Sequence, residues 1–145
     1  MPDSSSLHCL IYHSQASRAV HEVTLPPLLR KARLYNQQAR LSGLLFFAKS
    51  EFLQILEGPE PALSELYARI VADPRHFAVR TLVYGPIAQR SFPNWGLAYA
   101  SVSPTILQQV IGLLPTAEAS NHPALPPPGL GQVLRAVSER WMQDA

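Results

Sequence analysis

Five segments of the chain carry the alternation of apolar side chains that is typical of β-strands. Several are apolar on both faces of the pleat, which favours strands covered above and below. These segments are LHCLIYHS (7–14), LSGLLFFA (41–48), EFLQILE (51–57), FAVRTLVY (77–84) and WGLAYASV (95–102). Because KSE (49–51) gives only a short turn from the second segment into the third, these two are predicted to form a hairpin.

Two segments between the strands have the spacing of amphipathic helices. In 23–38, Thr24 is suited to the N-cap, prolines occupy the first turn, and the apolar stripe leads on to Asn36. The second helix, 61–74, ends at its final proline. The order β-α-β-β-α-β-β predicts an α+β, ferredoxin-like fold: a five-stranded mixed sheet with two helices on one face. Its first and third strands would be the central, adjacent pair.

The last third of the chain has a different pattern. Amphipathic helices are predicted over 103–115 and 130–143, joined by a proline-rich connection. We therefore divide the chain into a domain at 1–102 and a helical extension at 103–145. The extension is expected to cover the sheet face that the first two helices leave bare, a task that a partner subunit could also perform.

Composition limits the class of protein. The 145 residues are 47% hydrophobic and only 15% charged, with a net charge of +2, which suits a single globular domain with a core. No basic cluster suggests nucleic-acid binding, and no apolar run approaches a membrane span. The N-terminus lacks the pattern of a secretory signal, and Cys9, the sole cysteine, excludes an internal disulfide. A cytoplasmic location is therefore expected.

Three polar residues occupy positions where apolar ones are expected. Tyr12 and Gln54 lie within the predicted central strands, and Asn36 continues the apolar helix stripe. Burying an amide without hydrogen-bond partners reduces stability by a few kcal/mol; measurements on mutant proteins give about 1–3 kcal/mol. These three groups therefore need hydrogen bonds. They could satisfy one another and the backbone, or they could line a cavity for a flat ligand with polar edges.

The sequence offers no convincing catalytic or metal-binding motif. The five histidines show no metal-ligand spacing, and no nucleophile elbow or phosphate-binding glycine loop occurs. A small enzyme of the acylphosphatase kind would need an anion-binding loop after the first strand. HSQASRAVHE offers Arg18 there but no glycine-rich cradle.

A set of motifs in register carries a family resemblance. The stretches are LIYHSQASR, YNQQARLSGLLFF, EFLQILEGPE, YARIVADPRH and GPIAQRSFPNW. Together, from about Cys9 to Ala100, they resemble a BLUF domain, a blue-light sensor that binds flavin.

The resemblance implies a photochemical role for three residues. Tyr12 matches the photoactive tyrosine, Gln54 the switch glutamine, and Trp95 a tryptophan that the family can place near that glutamine. In the family, light draws an electron and then a proton from the tyrosine. The proton travels through the glutamine, whose amide ends rearranged, and the flavin absorption shifts to the red. An amide carries both a donor and an acceptor, so its rearrangement rewires hydrogen bonds.

The resemblance also implies flavin contacts. Asn36 matches the residue that holds the pyrimidine edge, and Asp73, Arg75 and His76 match positions near the opposite edge or the flavin side chain. Arg69, one turn earlier, lies on the same flank. Asp73 could instead simply end the helix, and Arg69 could be a solvated surface charge. Leu97 replaces a methionine that is common in relatives.

The implied protein is a photoreceptor, not an enzyme, that binds FAD non-covalently between two helices, with FMN as the alternative. Its output would pass through the tail helices, a homo-oligomer interface or a separate signalling protein, with no role for nucleic acid or membrane. The alternative is a BLUF-like interaction module that does not signal.

Overall fold

The computed structural model describes residues 6–21, 23–116 and 122–143. Its elements are β1 Leu7–Ala16, α1 Leu25–Ala39, β2 Ser42–Ala48, β3 Glu51–Pro59, α2 Glu60–Ala72, β4 His76–Pro86, β5 Ala98–Ser101, α3 Pro104–Ile111, α4 Leu130–Ser138 and β6 Met142–Gln143. The predicted β-α-β-β-α-β-β order is confirmed. Two helices and a short sixth strand follow it.

The strands form one mixed sheet in the order β4-β1-β3-β2-β5-β6. β2 and β5 pair in parallel, whereas the other neighbours are antiparallel. β1 and β3 are adjacent near the middle of the sheet, and their register places Tyr12 directly opposite Gln54. The α+β, ferredoxin-like prediction therefore holds, and the strand pair that it made central is the pair that carries both residues.

The alternation of side chains in β1 and β3 divides the core into two layers. On one face, Leu10, Tyr12 and Leu56 pack with residues of α1 and α2. On the other face, Ile11 and Ile55 belong to a second apolar cluster that includes Leu107 and Val110 of α3 and Leu134 of α4. Apolar residues on both faces of these strands are thus accounted for, because each face is buried.

β5 is shorter than predicted, and this changes the position of Trp95. The strand begins at Ala98, so Trp95 lies in the connection 87–97 that precedes it, whose last seven residues we call the 91–97 loop. A turn at Pro93 and Asn94 lets the Trp95 N–H donate to the Phe92 carbonyl at 3.1 Å. The Trp95 carbonyl accepts from the Gly43 N–H of β2 at 2.8 Å. The backbone is therefore bonded to β2 at Trp95, but the regular pairing with β5 starts later.

The helix predicted over 130–143 was too long. α4 ends at Ser138, whose hydroxyl donates to the Arg135 carbonyl at 2.7 Å. The Trp141 N–H then donates to the Ser138 carbonyl at 2.9 Å, which turns the chain toward β6. The helix predicted over 103–115 likewise ends early, at Ile111, just before Gly112.

The N-cap of α1 is also different in detail. Thr24 occupies the N-cap position, but its side chain makes no capping hydrogen bond. Its hydroxyl instead donates to the Ala19 carbonyl at 2.8 Å, which stabilises the turn that precedes the helix.

Candidate functional site

A cavity of about 150 Å³ lies between α1, the end of α2 and the sheet. Its walls are mainly apolar side chains of α1, of the strands and of the loop before β5: Leu25, Leu28, Leu29, Ala32, Leu45, Phe52 and Leu97. A polar edge completes it, formed by Tyr12, Gln54, Asp73, Arg75 and His76. An apolar slot with a few polar groups at one edge is typical of a site for a flat organic ligand.

Tyr12 and Gln54 are hydrogen-bonded at this edge. The Tyr12 hydroxyl donates to Gln54 Oε1 across the β1–β3 pair. Both side chains are buried, with 4% of Tyr12 and 8% of Gln54 exposed. Gln54 is an amide within a core strand, and its oxygen is hydrogen-bonded there to the phenol of the neighbouring strand.

Tyr12 is held in its neutral form. Burial raises the pKa of its hydroxyl far above the ordinary value, and the nearby Tyr67 and Asp73 add to the shift. The phenol therefore keeps its proton at neutral pH and acts as a donor to Gln54. The Tyr67 ring lies 5.8 Å from the Tyr12 ring, centroid to centroid, and the His76 ring 6.0 Å.

His76 is fixed by hydrogen bonds at both ring nitrogens. Nε2 lies 2.7 Å from the Ile70 carbonyl, and because a carbonyl can only accept, Nε2 carries a hydrogen. Nδ1 lies 2.9 Å from the Ser14 hydroxyl, which donates to it when the imidazole is neutral. His76 thus joins the end of α2 to β1 beside Tyr12.

The other charged residues of the predicted set are more exposed. Asp73 accepts the Arg75 N–H at 2.9 Å, and the Arg75 guanidinium lies 3.7 Å from the same carboxylate. Arg69 is not part of the cavity lining; its guanidinium lies 4.8 Å from the centre of the Tyr35 ring. The structure therefore brings Asp73 and Arg75 to the cavity edge and leaves Arg69 on the outer flank.

Asn36 is buried in α1, and its amide nitrogen donates to the Gly96 carbonyl at 2.7 Å. One turn earlier, Arg33 Nε donates to the Leu97 carbonyl at 2.8 Å. These two bonds attach the 91–97 loop to α1, and the Leu97 side chain reaches the cavity. Arg33 has no part in the sequence-based prediction; its spacing of three from Asn36 is a helical signal that both face the same neighbour.

Trp95 lies on the other side of the sheet from Tyr12 and Gln54. Its ring packs against the cluster that contains Ile11 and Ile55, and it is not in the cavity lining. The Arg135 guanidinium of α4 lies 4.4 Å from the ring centre, within the range of a cation–π contact. The predicted photochemical role of Trp95 is therefore not a direct contact with Gln54 in this structure.

The cavity residues fit a flavin in chemistry. A tricyclic ring needs an apolar slot, and its carbonyl and N–H edge needs amide, phenol or imidazole partners, which are the groups present. The cavity is smaller than the about 300–1,000 Å³ of typical ligand pockets.

Other site types find little support in the described parts of the chain. No group of three or more His, Cys, Asp or Glu side chains there is arranged to hold a metal. Among the same residues, no helix has the length and apolar character of a membrane span.

Comparison with known proteins places these features in a family. The family model for BLUF, described as sensors of blue light using FAD, matches residues 7–98. The photoactivated adenylate cyclase subunit beta of Euglena longa is 39% identical over 98 residues. That match covers 67% of this chain but only 11% of the relative, so the chain spans about a tenth of that protein's length.

Solved structures give the same result. The BLUF protein BlrB in its dark state has a TM-score of 0.64 at 30% identity, covering 74% of this chain and 80% of that one. The ground state of BlsA has a TM-score of 0.70 at 25% identity, covering 95% and 91% of the two chains. The latter match extends over the C-terminal helices. This chain belongs to the BLUF family of flavin-binding blue-light sensors.

Proposed function

We propose that Tyr12 and Gln54 form the light-driven switch of this chain, next to a flavin held non-covalently between α1 and α2. The observation that carries this proposal is the buried hydrogen bond from the Tyr12 hydroxyl to Gln54 Oε1 at the polar edge of an apolar cavity. The flavin, when bound, supplies the absorption of blue light and accepts an electron.

The two side chains then act in sequence. Tyr12 would give up an electron to the flavin. Its hydroxyl proton would pass to Gln54 along the hydrogen bond between them. When both return, the amide is left rearranged, with its donor directed where its acceptor was. An amide can do this with no net change of charge, because it carries both kinds of group. Burial keeps water from competing with these bonds.

Further residues are proposed to hold the flavin. Asn36, Asp73, Arg75 and His76 would contact its polar edges and its side chain, with Arg69 on the outer flank. FAD is the proposed cofactor because the family description names it, with FMN as the alternative. Trp95 remains a predicted photochemical residue. Because its ring lies on the other face of the sheet, any influence on Gln54 would pass through the 91–97 loop rather than by contact.

The output is also a proposal. Residues 1–102 would be the light-sensing domain, and 103–145 an extension that transmits its state. The signal would pass to a second copy of the chain or to a separate signalling protein in the cytoplasm, without turnover chemistry of the chain's own.

The test is the visible absorption spectrum before and after blue light. We expect the wild type to shift to the red and recover in the dark, and Tyr12→Phe and Gln54→Leu to bind flavin without the shift. Tyr67→Phe is the matched control, since its hydroxyl bonds Thr81 at 2.5 Å rather than Gln54. A normal shift in Tyr12→Phe would refute the switch. A wild type that binds flavin but never shifts would support the alternative, a module that does not signal.

A further inference from the structure

Glu57 is a buried carboxylate that the photochemical switch does not use. It lies three residues after Gln54 in β3, so the alternation of the strand directs it to the opposite face, and it is 2% exposed. Oε2 accepts the Ser91 N–H at 2.9 Å, and Oε1 accepts the Phe92 N–H at 2.6 Å. The Ser42 hydroxyl also donates to Oε1, at 3.2 Å. One carboxylate thus holds two consecutive N–H groups at the start of the 91–97 loop.

The far end of the same loop belongs to the cavity. The Gly96 carbonyl accepts from Asn36, the Leu97 carbonyl accepts from Arg33, and the Leu97 side chain lines the cavity wall. The loop is therefore bonded to β3 at one end, to β2 at Trp95 and to α1 at the other end. A short loop fixed at both ends has little freedom to absorb a displacement at either end.

Helix α4 contacts the 91–97 loop at Ser91 and at Trp95. Arg135 Nη1 donates to the Ser91 carbonyl at 3.0 Å, and its guanidinium covers the Trp95 ring. Gly131 contacts Ser91 so closely that a Cβ at this position would lie 2.0 Å from the serine oxygen. The carbonyl of Ser91 is thus bonded to α4, while its N–H is bonded to Glu57.

We infer that Glu57 is a positioning residue: it holds the 91–97 loop as a stiff bridge between the flavin-side cavity and α4. This inference rests on the proposed function for the direction of the signal, from Leu97 at the cavity to Arg135 on α4. Without the Glu57 carboxylate, the N–H groups of Ser91 and Phe92 lose their partner, so less of a displacement at Leu97 reaches the helix. The Arg90 guanidinium, which donates to the Arg40 carbonyl at 2.6 Å, still holds the chain next to the loop.

The first experiment compares the wild-type chain with Glu57→Gln by amide hydrogen exchange, in the dark and under blue light. Glutamine keeps the shape, but its amide nitrogen cannot accept, so one loop N–H loses its partner. In the dark, we expect exchange at 91–97 to become about threefold to tenfold faster, as the loss of one hydrogen bond implies. Under light, we expect the flavin red shift to persist and the light-dark exchange difference in α4 to become smaller.

Glu51→Gln is the matched control, because it removes another carboxylate of β3, one bonded to His13 at 2.8 Å and remote from the loop. Unchanged exchange at 91–97 and in α4 of Glu57→Gln would overturn the inference. The dark comparison needs no photochemistry, so it decides the anchoring role even if the wild type shows no red shift and the proposed function fails.

A second variant covers the case in which Glu57→Gln does not fold. Arg135 is only half-buried, so Arg135→Gln should fold, keep the red shift and keep the loop protected, while the light response of α4 is lost. Arg140→Gln, on the exposed turn after α4, is its control and should behave as wild type. A normal α4 response in Arg135→Gln would show that the loop does not carry the signal and would overturn the inference.

Discussion

The contact between α4 and the 91–97 loop can be tested by adding one methyl group. In Gly131→Ala, the new Cβ would lie 2.0 Å from Ser91 Oγ and 2.5 Å from Ser91 Cβ. Ordinary contact begins at 3.4 Å, so the first distance is 1.4 Å too short. Rotation of the serine side chain moves the oxygen away but leaves Cβ in place. Either α4 or the loop must therefore move.

The expected loss of stability follows from two opposing effects. Overpacking a close contact costs about 1–3 kcal/mol, whereas alanine in place of a helical glycine returns at most about 1 kcal/mol. We therefore expect the free energy of unfolding of Gly131→Ala to fall by about 1–2 kcal/mol. Because Ser91 is the cause, adding Ser91→Gly should restore much of this loss, as a favourable coupling of about 1 kcal/mol.

The assay is urea unfolding of the wild type, the two single variants and the double variant, together with exchange of the α4 amides. Gly112→Ala is the control, since its Cβ would meet a carbonyl oxygen of Gln109 at 3.3 Å, close to ordinary contact. The reasoning is refuted if Gly131→Ala is as stable as the wild type with α4 equally protected. It is also refuted if Ser91→Gly gives no rescue, because α4 would then not rest on Ser91.

Three further predictions concern the core of the sheet. Gly43→Ala would place a Cβ 2.1 Å from the Ile55 carbonyl oxygen, a backbone atom that cannot rotate away, so we expect urea unfolding to show a loss of roughly 3 kcal/mol, and a loss below about 1 kcal/mol would contradict this. Burial raises the pKa of Glu57 above its ordinary 4.5 despite hydrogen bonds from Ser91 and Phe92, so the folded state holds this proton more tightly than the unfolded chain. The free energy of unfolding of wild type minus that of Glu57→Gln should therefore decrease as pH rises from 4.5 through the raised pKa, and a flat or rising difference would show the sign to be wrong. Burial, together with the Glu57 charge, raises the pKa of the Cys9 thiol to about 12, so an alkylating reagent at mildly alkaline pH should label it only after unfolding, and equal rates in both states would contradict the burial.

The sequence predicts the fold best where the spacing of apolar residues within a single strand or helix determines which face a side chain occupies. The topology makes the first and third strands adjacent, so Tyr12 and Gln54 are expected to be neighbours or near neighbours if both point to the helix side. The observed register pairs them directly. Alternation along the third strand places Glu57 on the other face, but its partners at 91 and 92 come from a loop far along the chain. No local pattern indicates which N–H groups a carboxylate will meet after folding.

The positions around Trp95 show where periodicity fails. The run WGLAYASV is apolar enough to predict a strand from 95, yet the preceding Pro–Asn turn delays the strand until Ala98. The tryptophan therefore leaves the alternation and turns toward α4, where Arg135 covers it. That contact joins two segments whose relation depends on the whole fold, so neither the ring's location nor the role of Arg135 can be derived from the sequence pattern.

The proposed switch and the proposed anchor are neighbours in one strand, and their chemistry suits their different tasks. Gln54 faces the cavity and carries both a donor and an acceptor, so it can exchange one for the other without a change of charge. Glu57 faces α4 and, when ionised, can only accept, so its bonds to two fixed N–H groups have a single arrangement. If the amide were at 57 and the carboxylate at 54, the loop would be held by a group with two possible hydrogen-bond arrangements. The cavity would then contain a group that cannot exchange a donor for an acceptor. The order Gln-Ile-Leu-Glu thus places the proposed switch on the cavity side of the sheet and the proposed anchor on the side of the tail.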